Sequence, residues 1–134
     1  MKSIFLFLGA ISALLAVAFG AFGAHGLKNT LSPELMVTYQ TAVNYQMWHA
    51  LGLIGISIIH QQYPDSKLLT WSGRLMFLGI LVFSGSLYLL ALLNIKELGM
   101  ITPIGGVSFM IAWALLAIFS TKKQQKSRYN SARR

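Results

Sequence analysis

Six side chains hold most of the chemical potential of this chain: His25, Tyr45, His49, Ser84, Tyr88 and Thr102. Tyr45, His49 and Gly52 recur at i, i+4, i+7, and Ser84 and Tyr88 at i, i+4, so on helices each set shares one face. A neutral imidazole can ligate haem or a transition metal. A serine beside a histidine is the start of a hydrolase. Hydroxyls gathered around an imidazole can also line a pocket for a lipid- or quinone-like molecule.

What is missing narrows these chemistries. The 134 residues contain no cysteine, which removes disulfides, thiolate catalysis and Cys-ligated metals. A metal at His25 and His49 would lack a third histidine beside it, Glu34 is the one carboxylate close to them in the chain, and no haem attachment motif is present. A Ser84–His49 pair would lack the buried acid that orients the base. Gly105-Gly106 has neither the spacing nor the preceding strand of a nucleotide loop. The expectation is a protein with no catalytic residue, no metal and no cofactor, and not an enzyme.

The elements that must position these residues are built for lipid. Hydrophobic residues make up 55% of the chain and charged residues 10%, against ~25% charged in an ordinary soluble domain. Apolar stretches cover residues 4–24, 49–59, 75–93 and 100–120. Crossing a ~30 Å hydrocarbon core takes ~20 residues at ~1.5 Å each. The first, third and fourth stretches meet that length without an Asp, Glu, Lys or Arg inside, whereas the second needs the residues before it. With no carboxylate inside a span, the usual relay of an ion-coupled carrier is absent. Lys2, the first apolar run and Ala16-Val17-Ala18 resemble a signal peptide, but the run continues to Ala24, which favours a retained first span.

Local signals set the helix ends. Ser12, Ala16, Gly20 and Ala24 follow four-residue spacing in the first helix, which predicts a face for close helix packing. Ser32-Pro33-Glu34 reads as the start of the second, with Ser as cap, Pro in the first turn and an early acid against the helix dipole. No break follows until Pro64, so this helix covers 33–62. Thr38, Gln40, Thr41, Asn44 and Gln46 make its first half too polar for lipid, so that half is expected at the interface or over the bundle mouth, with 45–60 in the membrane. A third helix is predicted over 66–93, with Trp71 as an interfacial anchor, and a fourth after Gly99, with Pro103 in its first turn.

Charge gives an orientation. The net charge is +8, and Lys122, Lys123, Lys126, Arg128, Arg133 and Arg134 follow the last stretch. Lys67 and Arg74 flank the second loop, while Lys28 and Lys96 are offset by Glu34 and Glu97 in the first and third. Positive residues stay on the cytoplasmic side, so both termini are expected there. The expected architecture is all-α: one four-transmembrane-helix bundle over residues 1–121, with an extended, partly amphipathic second helix. A mobile basic tail over 122–134 is expected to meet anionic lipids rather than nucleic acid. This orientation gathers His25, Tyr45, His49, Ser84, Tyr88 and Thr102 in the outer half of the bundle, and leaves His60 and Gln61 at the inner boundary. Ser12, Ser57 and Ser108 are expected to bond to their own helix backbones. Two readings of the outer layer stay open: its groups bond to one another across helices, or they line a small outward-facing pocket.

The same residues carry a family likeness. Gly20-Ala21-Phe22-Gly23-Ala24-His25-Gly26, Tyr45-Gln46-Met47-Trp48-His49-Ala50-Leu51, Phe83-Ser84-Gly85-Ser86-Leu87-Tyr88 and Thr102-Pro103-Ile104-Gly105-Gly106-Val107-Ser108-Phe109 resemble the bacterial family called domain of unknown function 423. The eukaryotic transmembrane protein 256 is similar to that family. The resemblance covers the chain to about Phe119 and implies a small multi-pass protein of the bacterial cytoplasmic membrane. It implies no activity, cofactor or catalytic residue. The expected function is a non-enzymatic binding or assembly component with a lipid- or quinone-like ligand in the outer half. The alternatives are a small-solute or lipid transporter, homo-oligomeric because four short spans enclose little volume, and a redox-membrane subunit using His25 and His49.

Overall fold

A computed structural model of the chain describes residues 2–122. The basic tail expected over 122–134 therefore lies outside the described residues, apart from Lys122. Among the described residues the regular structure is helical throughout: α1 (Ile4–His25), α2 (Pro33–Gln62), α3 (Lys67–Gly79), a π-helical segment (Ile80–Ser84), α4 (Gly85–Leu93), a 3-10 turn (Lys96–Met100) and α5 (Thr102–Thr121). α3, the π segment and α4 run on as one rod, Lys67–Leu93.

The helix starts follow from their caps. Ser3, Ser32 and Ser66 hydroxyls accept from the backbone N–H groups of Leu6, Leu35 and Leu69, which satisfies donors that the first turn cannot. Pro33 and Pro103 occupy first-turn positions, where a missing N–H costs nothing. The rod ends at Asn94, which takes a left-handed conformation with φ 53°, a backbone state that Asn tolerates better than most residues.

Three helical segments are long and apolar enough to cross a membrane: Ile4–His25, Lys67–Leu93 and Lys96–Thr121. α2 is longer than α1 but is not among them, because its polar first half lowers its mean hydropathy. It is nevertheless the centre of the fold. α1 packs on one side of α2, the α3–π–α4 rod packs on the other, and α5 packs against the rod. Buried positions recur at helical spacing through the middle of α2, from Tyr39 and Ala42 through Gln46, His49, Ala50 and Leu53 to Ile56 and Ser57. The polar first half is therefore part of one continuous packed helix.

One core cluster joins Phe5, Leu53, Ile56, Met76, Ile80, Phe109 and Ala112. A second, at the other end, joins Leu27, Tyr39 and Ala91. Leu14, Ile104 and Met110 on the outside are 64%, 65% and 71% exposed, an arrangement suited to lipid and costly in water. The small-residue face of α1 differs from the four-residue register expected. Gly9, Ser12, Ala16 and Gly23 are buried while Ala24 is exposed. An α-helix turns every 3.6 residues, so a strict spacing of four drifts off one face.

Candidate functional site

A closed polar network ties one half of the bundle together. Tyr88 donates its hydroxyl to Gln46 Oε1 at 2.6 Å, and Gln46 Nε2 donates to the Ser12 carbonyl at 2.9 Å. Three helices are thus joined through one amide. Tyr39 donates to the Phe19 carbonyl at 2.6 Å, and Ser84 to the Ala42 carbonyl at 2.8 Å. The Ser86 and Thr102 hydroxyls lie 2.6 Å apart and link α4 to α5. Deeper in the bundle, Ser72 donates to the Ala112 carbonyl and Ser108 to the Leu75 carbonyl, both at 2.7 Å. Ser57 bonds its own helix through the Ile54 carbonyl, as expected. Ser108 does not, because α3 passes close enough to offer it a carbonyl. Ser12 contributes its carbonyl rather than its hydroxyl.

The π segment sets this geometry. Its wider turn brings Ser84 to α2 and presents the Phe83 backbone to α5. Gly105 meets it there: a Cβ at Gly105 would fall on the Phe83 backbone. Gly105 is therefore a close-packing point between the rod and α5.

A second group of residues is aromatic. The Tyr45 ring stacks on Phe83 with centroids 4.4 Å apart. His49 stacks on Phe109 at 3.5 Å and lies nearly parallel to Tyr45 at 5.7 Å. Trp48 and Trp113 flank the group at 5.1 Å from Tyr45 and 6.0 Å from His49. Tyr45, His49 and Gly52 do share a face, since Trp113 lies against Gly52.

A groove opens between α1 and α2. It encloses about 340 Å³ and is lined by Gly20, Gly23, Ala24, Tyr39, Gln40, Val43 and Asn44. Gly20 and Gly23 make room for α2; a Cβ at Gly23 would overlap the Tyr39 ring. Gln40 and Asn44, one turn apart on α2, are exposed and line the groove.

The six candidate residues thus separate. Tyr45 and His49 belong to the aromatic group. Ser84, Tyr88 and Thr102 are engaged in bonds between helices. His25 is exposed at the end of α1 and is joined to none of them. None of the six lines the groove.

The family described as "Protein of unknown function (DUF423)" matches residues 19–106, which include the groove, Gln46, Tyr88 and Gly105. The chain belongs to this family. A UPF0382 membrane protein of Staphylococcus saprophyticus is 50% identical over 119 residues, covering 89% of this chain and 98% of that protein. The UPF0382 membrane protein YwdK of Bacillus subtilis is 45% identical over 119 residues, covering 89% of this chain and 97% of its own. No solved structure is significantly similar. This DUF423 chain is a bacterial membrane protein, as its relatives' names and its three apolar segments agree.

An amide in the middle of the motif Tyr45–Leu51 marks Gln46 in the sequence, but its burial and its partners do not show there. Phe83, Phe109 and Trp113 gave no signal, because aromatic residues in apolar helices are ordinary. Gln40 and Asn44 were read only as polarity; their i, i+4 spacing could have marked them as a pair on one face.

Proposed function

We propose that this DUF423 protein is a non-enzymatic, four-span component of the bacterial cytoplasmic membrane, with both termini in the cytoplasm, that binds a lipid-type ligand in the groove between α1 and α2. The groove carries the reading. Its volume of about 340 Å³ falls in the range of small-ligand sites. Its two exposed amides, Gln40 and Asn44, stand in a layer whose other polar groups are mostly bonded within the protein. Its walls carry no ionic side chain, which suits uncharged hydroxyl, ester or amide groups of a lipid. Four spans are supported by the central packing of α2: its 30 residues extend ~45 Å at ~1.5 Å each, enough for the hydrocarbon core and the headgroup layer. Trp71, with the Arg74 guanidinium 5.2 Å from its ring centroid, fits an anchor at the cytoplasmic interface. The basic residues after Lys122 support the same orientation and an attraction to anionic lipids.

Native mass spectrometry of protein extracted with its lipids tests the reading. Ala24→Leu fills the groove, and Gln40→Ala with Asn44→Ala removes its amides. All three positions are exposed, so the fold is expected to stand. Wild-type protein is expected to retain bound lipid and both variants to lose it. Lipid retained by both variants at the wild-type level would sink the proposal.

A further inference from the structure

The bonding capacity of His49 is only half used. The residue is 6% exposed, and its Nδ1 lies 2.6 Å from the Tyr45 carbonyl. A carbonyl only accepts, so Nδ1 carries the proton and Nε2 of the neutral ring is an acceptor. No described residue donates to Nε2. Among the described residues no fully enclosed side-chain nitrogen or oxygen lacks a partner, so this atom reaches the molecular surface rather than a sealed void. Phe109 covers one face of the ring at 3.5 Å and 14°, and Tyr45 stacks nearly parallel at 5.7 Å and 18°. The approach left open is in the ring plane, at Nε2.

The surroundings say what could approach. Phe109 lies about two turns into α5, ~10 Å along the helix at ~1.5 Å per residue, which is hydrocarbon depth if α5 crosses the membrane. Water is absent there, and a bare acceptor is a standing cost. Headgroup donors of ordinary phospholipids sit nearer the surface. Trp48 and Trp113, 57% and 43% exposed, flank the aromatic group, and no described residue accepts from either indole N–H.

We infer that His49 and these two indoles form a binding site for a planar aromatic alcohol dissolved in the membrane, of the hydroquinone class. Its hydroxyl donates to His49 Nε2, an indole offers a face for stacking, and an indole N–H can donate to a ring oxygen. This site faces α5, whereas the groove is lined from α1 and another face of α2. The inference rests on α2 and α5 crossing the membrane, and not on lipid in the groove.

The test uses full-length protein in nanodiscs of phosphatidylethanolamine and phosphatidylglycerol. Naphthohydroquinone and its dimethyl ether, which has no donor, are titrated without oxygen. Binding is read from tryptophan quenching and from the NMR resonance of His49 Nε2. The hydroquinone is expected to quench saturably and shift that resonance, and the ether to bind about fivefold or more weakly, the worth of one ordinary hydrogen bond. His49→Phe keeps a ring between Tyr45 and Phe109 and is expected to bind the hydroquinone no better than the ether. Ala24→Leu is expected to leave hydroquinone binding unchanged, so failure of the groove and failure of this site are read separately. Equal affinity for hydroquinone and ether would overturn the inference, as would an unmoved Nε2 resonance. So would a Soret band in the purified protein that disappears in His49→Phe, since iron would then hold the nitrogen. The ether comparison and the resonance are measured on wild-type protein and stand whether or not the variant folds.

Discussion

Gln46 and His49 stand about one turn apart on α2; both are polar and both are buried, at 4% and 6% exposure. Gln46 is closed on both sides: its amide nitrogen donates to α1 and its oxygen accepts from α4. His49 is bonded only to its own helix, with its rings of contact supplied by α2 and α5. The first is a fastener, in which every polar atom of the side chain is used to hold helices in register. The second is a ring held rigid on its faces with one atom left over. Burial alone does not separate such roles. The count of unspent donors and acceptors does.

Substitutions put this contrast to the test. The largest effect is expected where neither residue is touched. Gly105→Val would drive a side chain into the Phe83 backbone, inside the π segment that aims both Ser84 and Phe83. Overpacking of this kind costs ~1–3 kcal/mol or more, so thermal unfolding in detergent should show the largest loss of stability in this set. Next comes Gln46→Leu, which strands the part-buried Tyr88 hydroxyl. Leaving a buried donor unmet costs ~1–3 kcal/mol, and a half-buried one falls toward the lower end of that range. The same melting experiment should place it well below wild type, and an unchanged midpoint would deny the fastener role.

His49→Phe should be milder, at under ~1.5 kcal/mol, because it nearly conserves ring volume and stacking. If it proves as damaging as Gln46→Leu, His49 is a structural residue after all and the contrast fails. The smallest effect is expected from Ser84→Ala, which removes one bond to the Ala42 carbonyl. Such bonds between helices are worth ~0.6 kcal/mol on average, close to the resolution of a melting curve.

Much of the scaffold was legible in the sequence because the signals are local. Ser32, Pro33 and Pro64 bracket α2 at its observed ends. Pro103 marks the first turn of α5. The contact between Gly105 and Phe83 is the close approach that a glycine pair allows. The site was only partly legible. Tyr45 and His49 share a helix face because both lie on α2, and i, i+4 spacing is enough to say so. His25 looked equivalent to His49 by type and by depth along the chain, yet it sits exposed at a helix end. The π segment had no sequence signature, because one extra residue in a turn is decided by which neighbours must be met on either side.

Hydropathy and capping residues were enough to say that the chain belongs in a membrane and, closely, where most of its helices begin and end. Both signals are carried by near neighbours along the chain. Which polar atoms cancel depends on the packed arrangement of the helices. Tyr88 finds Gln46, Gln46 finds Ser12, and Ser108 finds a carbonyl on α3, each across a gap that depends on how helices are rotated against one another. His49 Nε2 is what remains after that pairing, and a remainder is known only once every partner has been placed.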